Sequence, residues 1–234
     1  MQSTSVRVII VFVCCASSHQ VRAALITSAV SVTASDERIF EGFTYRAEAL
    51  IDQSGLSTGY QSGVTDFDAY LSSDPTHLNT RENVWATNNG VRTATLDFSL
   101  DSLKLVDGLT LWYRGQDLGP QIKDFELYAA GNAGFVNATF LGSYIADPNL
   151  GTNSATRAEV FGFDLVQASY IRMEILTPNF PTPILSAGEV AFREQTAVPE
   201  PSSLALLGAG MIVVAGNSLR RRRRRCDPLD RSAE

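Results

Sequence analysis

Three aromatic side chains in a polar part of the chain have the chemistry of a sugar-contacting surface. Tyr60, Tyr70 and Trp85 lie in or beside a stretch rich in polar residues, whereas Trp112 lies in an alternating apolar run. An aromatic ring offers a flat apolar face on which the C–H groups of a sugar can stack. We therefore expect Tyr60, Tyr70 and Trp85 to be exposed candidates for carbohydrate binding, and Trp112 to be a core residue.

Side chains suited to catalysis are scarce between residues 24 and 197. This segment contains one histidine, His77, and no cysteine, which excludes thiol catalysis and metal sites built from several histidines. The sequence has neither a Gly-x-Ser-x-Gly nucleophile elbow nor a Walker-type phosphate loop. His77 stands in the polar stretch, where a surface position is the simplest interpretation. The residues predict a protein that is not an enzyme.

The polar stretch at residues 67–89 interrupts the apolar patterning of the chain. It contains Pro75 and is bounded by Gly63 and Gly90, and such residues favour turns and loops. A loop of this length inside a compact domain is usually functional or disordered. The sequence predicts a long loop here, and it leaves a binding face and a plain surface insertion as equal alternatives.

Short runs of alternating apolar and polar residues are the main structural signal elsewhere. Alternation with a period of two is typical of half-buried strands. About eight such strands with little helix predict an all-β fold, an antiparallel β-sandwich or jelly roll. Residues 45–51 are the one predicted helical turn, and an Asp107-Gly108 turn is expected to separate two strands. The predicted strands cover residues 25–33, 94–100, 109–113, 122–129, 135–145, 159–166, 170–176 and 185–193.

Charge is divided unevenly along the chain. The net charge is −6, but residues 24–197 contain 21 Asp and Glu against 10 Lys and Arg, a balance of −11. An acidic body argues against a nucleic-acid partner. The three cysteines, Cys14, Cys15 and Cys226, all lie outside this segment, so the body is expected to fold without disulfides.

The first 23 residues have the pattern of an export signal. Arg7 precedes the apolar residues 8–16, a segment that is too short to span a bilayer. Residues 21–23 place small or permitted side chains where a signal peptidase cuts. We predict a signal peptide over residues 1–23 and a sandwich domain over residues 24–196.

The other end of the chain combines a proline motif, an apolar segment and a run of arginines. With residues 201–203, the apolar residues 204–219 reach the ~17–20 residues needed to cross a bilayer. Basic residues after a span hold that end in the cytoplasm, so the body must lie outside the inner membrane, in the periplasm. We predict a transmembrane helix and a cytoplasmic tail over residues 226–234. The motif is Pro199, Glu200 and Pro201, and the stop-transfer run is Arg220, Arg221, Arg222, Arg223, Arg224 and Arg225.

These three parts, over residues 198–225, resemble the PEP-CTERM sorting domain of Gram-negative bacteria in order and spacing. The resemblance implies recognition by an exosortase and cleavage near the Pro-Glu-Pro motif. It also implies that the inner-membrane anchor is transient and that the protein reaches the cell surface or an extracellular exopolysaccharide matrix. We assign the sorting signal to residues 197–225, with an ordinary C-terminal anchor as the alternative.

Seven short segments, spread over nearly the whole body, carry a second resemblance. They are residues 49–56, 84–85, 95–98, 109–113, 122–127, 168–173 and 186–192. In their order and spacing they are similar to the discoidin, or coagulation factor 5/8 type C, group of galactose-binding-like domains, which implies a jelly-roll sandwich. The chain departs from that group at Gln53, where glycine is usual, because glycine adopts a positive φ more readily.

The discoidin resemblance also implies a structural calcium ion between an early Asp loop and a late Glu. The matching positions here are Asp52, the backbone oxygens around Ser54, and Glu189. Calcium is held by several hard oxygen ligands from carboxylates and carbonyls. The alternative is that Asp52 caps a turn and Glu189 faces solvent from a strand.

The sequence therefore favours a non-catalytic surface protein whose sandwich binds carbohydrate, with the producer's own exopolysaccharide as a candidate ligand. A structural or adhesive matrix protein that contacts other proteins without binding sugar is the alternative. Exposed aromatic and polar groups that converge in one shallow site would favour the first interpretation.

Overall fold

The structure of the chain, a computed structural model, describes residues 22–78, 80–114, 121–147, 151–152, 155–179 and 184–197. Within it, Arg22–Thr196 is a compact unit. The predicted membrane span at residues 204–219 and the tail at residues 226–234 lie outside the described residues, as does the signal peptide up to residue 21. Among the described residues, no helix is long and apolar enough to cross a membrane.

Strands dominate the described residues, and helical segments are few and short. The strands are β1 (Arg22–Thr27), β2 (Ser31–Ala34), β3 (Arg38–Phe40), β4 (Phe43–Tyr45), β5 (Thr76–Leu78), β6 (Trp85–Ala86), β7 (Ala94–Trp112), β8 (Ile122–Ala130), β9 (Thr139–Ile145), β10 (Gly151–Thr152), β11 (Ala155–Pro178), β12 (Ser186–Ala187) and β13 (Glu189–Ala197). The helical segments are the 3₁₀ turns η1 (Ala47–Leu50) and η2 (Arg81–Asn83) and the α-helix α1 (Phe67–Ser72).

The strands pair antiparallel in one nine-stranded sheet that curls back on itself. Its order is β1-β13-β7-β11-β8-β9, with β2 paired to β7, and with β5 and β10 paired to β11. Two small antiparallel ribbons, β3–β4 and β6–β12, complete the fold. The predicted all-β, antiparallel class is confirmed.

The long strands β7 and β11 make the curl, because they pair with each other along both halves of the sheet. The register between them breaks after Gly162 and again after Ala168, and such irregularities bend a strand. In one half of the sheet, the second half of β7 lies between β13 and the first half of β11. In the other half, β2 pairs with the first half of β7, and β8 pairs with the second half of β11.

Aromatic side chains fill the space between the two halves of the sheet. Phe98 of β7 packs edge-to-face on Phe192 of β13, with ring centroids 5.5 Å apart. Phe125 of β8 packs in the same way on Phe161 of β11, at 4.9 Å. Four fully or nearly buried rings thus join the halves into the predicted sandwich.

The alternating pattern of β7 shows why these residues form a strand. Ala94, Leu96, Phe98 and Leu100 are buried, and the residues between them are partly exposed. Side chains of a strand point to opposite faces in turn, so this spacing covers the core with one face. The predicted turn at Asp107-Gly108 is wrong, since both residues lie within the continuous strand β7.

The polar stretch at residues 67–89 is not the long loop that the sequence predicted. It contains α1, β5, η2 and β6. Asp66 begins α1 as its N-cap, because its carboxylate accepts a hydrogen bond from the Ala69 N–H at 2.8 Å. Short elements replace the expected loop because α1, β5 and β6 are each anchored by buried side chains. The predicted helical turn near residues 45–51 is present as η1.

Candidate functional site

The loop at Asp52–Ser54 lies directly against the start of β13. The Gln53 N–H donates to Glu189 Oε2 at 3.0 Å, and the Ser54 N–H donates to Asp52 Oδ1 at 2.8 Å. Gln53 has a φ of 60°, the left-handed conformation that glycine would adopt more readily. The loop therefore keeps a positive φ although the residue is Gln. Two of the carboxylates that the sequence singled out are brought together.

Glu189 is a fully buried acid with an incomplete hydrogen-bond shell. Its Oε1 atom is buried without a partner, while Oε2 accepts from Gln53. Burial raises the pKa of Glu189 well above its usual value, the negative charge of Asp52 raises it further, and the Gln53 N–H opposes the shift. The alternative that Glu189 faces solvent is wrong, because β13 begins in the core.

His77 lies in the core beside the same loop, which corrects the surface position that the sequence suggested. It is fully buried, and neither ring nitrogen has a hydrogen-bond partner. The ring lies between Gly55 and Gly188, where an added Cβ would come within 2.0 Å and 2.6 Å of it. Burial lowers the pKa of His77 to about 4, although Asp52 acts in the opposite direction.

The three aromatic residues proposed as sugar contacts are also buried. Trp85 donates from Nε1 to the Asp36 carbonyl at 3.0 Å, and Tyr70 donates to the Thr58 carbonyl at 2.6 Å. Tyr60 packs edge-to-face on Tyr70 at 5.3 Å. The expectation that these rings are exposed is wrong, because they anchor the polar stretch and the neighbouring loop to the sandwich. Trp112 is a core residue, as predicted.

The residues around Glu189 fit a calcium ion in charge and in donor type. An orphaned, buried carboxylate oxygen is a costly feature that a bound cation would complete. Asp52 is close enough for its charge to raise the pKa of Glu189. In the described part of the chain no three His, Cys, Asp or Glu side chains converge. Backbone carbonyls near Ser54 would therefore have to supply the other ligands.

A second group of side chains, which the sequence analysis missed, gathers at the β3–β4 hairpin. We call Arg38, Phe40, Tyr45, Arg81 and Arg114 the arginine surface. The Arg38 guanidinium lies 4.7 Å from the Phe40 ring centre and 5.8 Å from that of Tyr45. Arg81 lies 5.8 Å from the Phe40 ring, and Arg114 lies 5.7 Å from the Tyr45 ring.

Three separate parts of the chain position the arginine surface. The hairpin provides Arg38 and the two rings, η2 provides Arg81, and Arg114 follows the end of β7. Asn88 holds the hairpin, since its Nδ2 donates to the Glu37 carbonyl at 2.9 Å and its Oδ1 accepts from the Ile39 N–H at 3.3 Å. In the sequence, only the Arg38-x-Phe40 spacing hints at this group.

The C-terminal part of the chain matches a known protein-sorting family. Residues 197–225 match the family described as the PEP-CTERM protein-sorting motif. The chain thus carries this sorting motif, as the residues predicted. A comparison with curated proteins gave no match.

The body is similar in fold to several solved carbohydrate-binding modules. One is CpGH89CBM32-5 of Clostridium perfringens, solved with GalNAc-β-1,3-galactose. It is 15% identical in sequence, the match covers 73% of this chain and 99% of that chain, and the TM-score is 0.49. Another is the family 32 module of C. perfringens NanJ, solved with galactose. It is 16% identical, the match covers 74% of this chain and 100% of that chain, and the TM-score is 0.48. A third is chitosan-binding module 1 of Paenibacillus sp. IK-5. It is 17% identical, the match covers 71% of this chain and 95% of that chain, and the TM-score is 0.44. These ligands belong to those proteins, and at such values they identify no ligand of this chain.

Proposed function

We propose that the chain is an exported bacterial protein that an exosortase delivers to the cell surface or to an exopolysaccharide matrix. The observation that carries the proposal is the PEP-CTERM motif at residues 197–225, which follows a compact β body. The precursor is anchored in the inner membrane by residues 204–219, with its body in the periplasm. Cleavage near Pro199, Glu200 and Pro201 then releases the body, and the signal peptide has been removed earlier.

Replacing the motif tests the sorting step in a bacterium that makes the chain. A triple variant, Pro199→Ala, Glu200→Ala and Pro201→Ala, is expected to stay in the inner-membrane fraction at its uncleaved length. The matched control, Ser202→Ala with Ser203→Ala, changes the next two residues and is expected to reach the surface. Equal release of both variants would rule out recognition through this motif.

We further propose that the body is non-catalytic and binds carbohydrate. The arginine surface supports this, because it combines a ring of which 39% is exposed, Phe40, with guanidinium donors around it. Such a ring stacks on a sugar face, and the donors bind its oxygens. His77, the one histidine of the body, is buried and cannot reach a substrate.

A glycan-array screen of the purified full chain, with and without calcium, tests the carbohydrate proposal. We expect binding to at least one glycan class, and a lower signal after Phe40→Ala. Ile39→Ala is the matched control, because Ile39 is the neighbouring exposed apolar residue and its ring-free side chain cannot stack. If the chain binds no glycan at all, not even the producer's own matrix polymer, the proposal is contradicted.

We propose in addition that Asp52, Glu189 and the backbone oxygens around Ser54 hold a structural calcium ion. The unpartnered Glu189 Oε1 supports this. When bound, the ion would supply positive charge that keeps Glu189 ionised and ties the loop to β13.

One observation favours the adhesive alternative, in which the body contacts other proteins without binding sugar. The strand β9 and the turn before it expose large apolar side chains: Val136 is 65% exposed, Phe140 54% and Ile145 71%. Several large apolar side chains exposed within one short segment are a feature of interaction surfaces. A body that binds no glycan but binds surface proteins through Phe140 would establish this alternative.

A further inference from the structure

Within the described residues, every partly buried basic side chain outside the arginine surface pairs with an acid. Arg172 makes a two-point contact with Asp97, at 2.7 and 2.9 Å, and Arg193 donates to Asp107 at 2.6 Å. Lys104 lies 3.0 Å from Glu194, and Arg157 pairs with Asp74 at 2.9 Å. In an acidic body, such pairing is the expected outcome for a basic side chain that is partly withdrawn from solvent.

The arginine surface departs from this rule. Within the described part of the chain, neither Arg38 nor Arg114 forms an ion pair with a carboxylate, although both are partly buried. Arg81 pairs only with Glu41, at 3.2 Å, and both side chains are more than half exposed. Such exposed pairs contribute little and break readily. Three positive charges thus converge with one weak counter-charge.

The charge of Arg114 shows that these guanidinium groups act on one another. Burial lowers the pKa of Arg114, and the charges of Arg38 and Arg81 lower it further, while Tyr45 raises it. Its Nε atom is buried without a hydrogen-bond partner. A partly desolvated guanidinium without a counter-charge is costly, and an anion beside it offsets the repulsion from the neighbouring arginines.

We propose that the arginine surface binds an acidic polysaccharide, whose carboxylate or sulfate groups pair with Arg38, Arg81 and Arg114 while a sugar ring stacks on Phe40. This inference rests on the proposed carbohydrate binding and adds the charge class of the ligand. The guanidinium fork matches the planar pair of oxygens of a carboxylate. The guanidinium carbons lie 4.7 to 5.8 Å from the centres of the Phe40 and Tyr45 rings, and these cation–π contacts help to hold them in place. Such preorganisation favours a rigid, anionic sugar chain.

The test measures binding of the full chain to four polymers by isothermal titration calorimetry. Polygalacturonate carries carboxylates, dextran sulfate carries sulfates, dextran is neutral, and duplex DNA is a polyanion without a sugar face to stack on. We expect binding to one of the two acidic polysaccharides. Tighter binding to polygalacturonate would identify carboxylate as the preferred anion, and tighter binding to dextran sulfate would identify sulfate. Raising the salt to about 1 M, where the screening length falls to ~3 Å, is expected to abolish it.

Variants locate the binding on the arginine surface. The double variant Arg38→Gln with Arg114→Gln is expected to bind at least about tenfold more weakly, because each charged hydrogen bond contributes on the order of one tenfold step. Arg81→Gln is the second variant; its side chain is 52% exposed, so its loss leaves the packing unchanged. The matched control is Arg157→Gln, which removes the same charge from an exposed pair outside the surface.

The possible outcomes separate this inference from the proposed function. Binding to dextran, unaffected by the arginine variants, would overturn the inference and leave carbohydrate binding in place. Binding to duplex DNA as tight as to the acidic polysaccharides would overturn it too, because sugar recognition would then play no part. Failure to bind any of the polymers or any array glycan would overturn both. If Arg157→Gln lowered the affinity as much as the arginine-surface variants do, the binding site would lie elsewhere and the inference would be overturned.

Discussion

At the scale of single residues, the imidazole of His77 fixes the geometry around the candidate calcium loop. Gly55 and Gly188 lie so close to the ring that neither position has room for a methyl group. Gly55 continues the loop that begins at Asp52, and Gly188 precedes Glu189. The buried ring therefore sets the distance between the two segments that carry the carboxylates.

Gly55→Ala tests this close contact. The new Cβ would lie 2.0 Å from His77 Nε2, so the loop must move and we expect a loss of roughly 1–3 kcal/mol in the free energy of unfolding. Urea unfolding followed by fluorescence measures it. The matched control is Gly131→Ala, where no atom lies within 4 Å and the change should stay within about 0.5 kcal/mol. Equal stability of both variants would contradict the packing.

Acid should destabilise the fold through His77. Its pKa falls from 6.5 to about 4 on folding because of burial, so the unfolded chain takes up a proton first. Stability from this group is complete above pH 6.5 and is lost as the pH falls towards 4, by about 3 kcal/mol in all.

A comparison with His77→Leu isolates this effect in chemical denaturation at a series of pH values. Glu189 has a raised pKa and so acts with the opposite sign over its own range, but it is present in both proteins. We expect the stability of the unaltered protein to fall relative to that of His77→Leu as the pH is lowered from 6.5 to 4. Parallel curves for the two proteins would show that His77 is not held neutral.

Calcium should stabilise the body through Glu189. The proposed ion binds the folded chain only, so adding EDTA is expected to lower the melting temperature of the unaltered protein. Glu189→Gln removes the charged ligand with little change in shape, and its melting temperature should not respond to EDTA. Differential scanning calorimetry measures both. A chelator that leaves the unaltered protein unchanged removes the calcium proposal.

In the sequence, only the family resemblance connects Asp52 with Glu189. The burial of the aromatic residues, by contrast, has a physical reason that local sequence does not show. Trp85, Tyr60 and Tyr70 stand among polar residues, which suggests exposure. Their polar tips, however, bond to the backbone or to Ser28, so each ring buries without an unsatisfied donor. Such partners become visible only when distant segments are folded together.

At the scale of elements, β7 shows which features of a strand can be predicted from the sequence and which cannot. The alternation of β7 predicts a strand at residues 94–100 correctly, but Asp107-Gly108 indicated a turn. In the structure, the Asp107 carboxylate accepts from Arg193 and Gln195 at 2.6 and 2.8 Å. A Cβ on Gly108 would lie 3.3 Å from Arg193 Nε. Gly108 therefore makes room for the Arg193 side chain, and a local pattern does not reveal that.

Removing an aromatic contact between the two halves of the sheet should lower the stability of the fold. Phe161 packs on Phe125 and Tyr144, so Phe161→Ala should cost about 3–5 kcal/mol in the free energy of unfolding. The control Phe140→Ala removes the same ring from an exposed position on β9 and should cost less than about 1 kcal/mol. Thermal and urea unfolding measure both, and similar losses would refute the described core.

At the scale of the whole molecule, the sorting motif and the binding surface differ in how the sequence encodes them. The motif is continuous, so residues 197–225 could be identified from local residues alone. The arginine surface joins three parts of the chain, and only the fold brings Arg38, Arg81 and Arg114 together. A surplus of acid elsewhere in the body would repel an acidic polymer from the rest of the protein and direct it to this surface.

We propose that the protein binds carbohydrate after its export, and sedimentation with the producer's own polymer tests this proposal. The purified full chain is mixed with insoluble exopolysaccharide prepared from the bacterium that makes it, and the mixture is centrifuged. We expect the unaltered protein to sediment with the polymer and the Arg38→Gln, Arg114→Gln variant to remain in solution. If the unaltered protein stays in the supernatant at every salt concentration, the claim is contradicted.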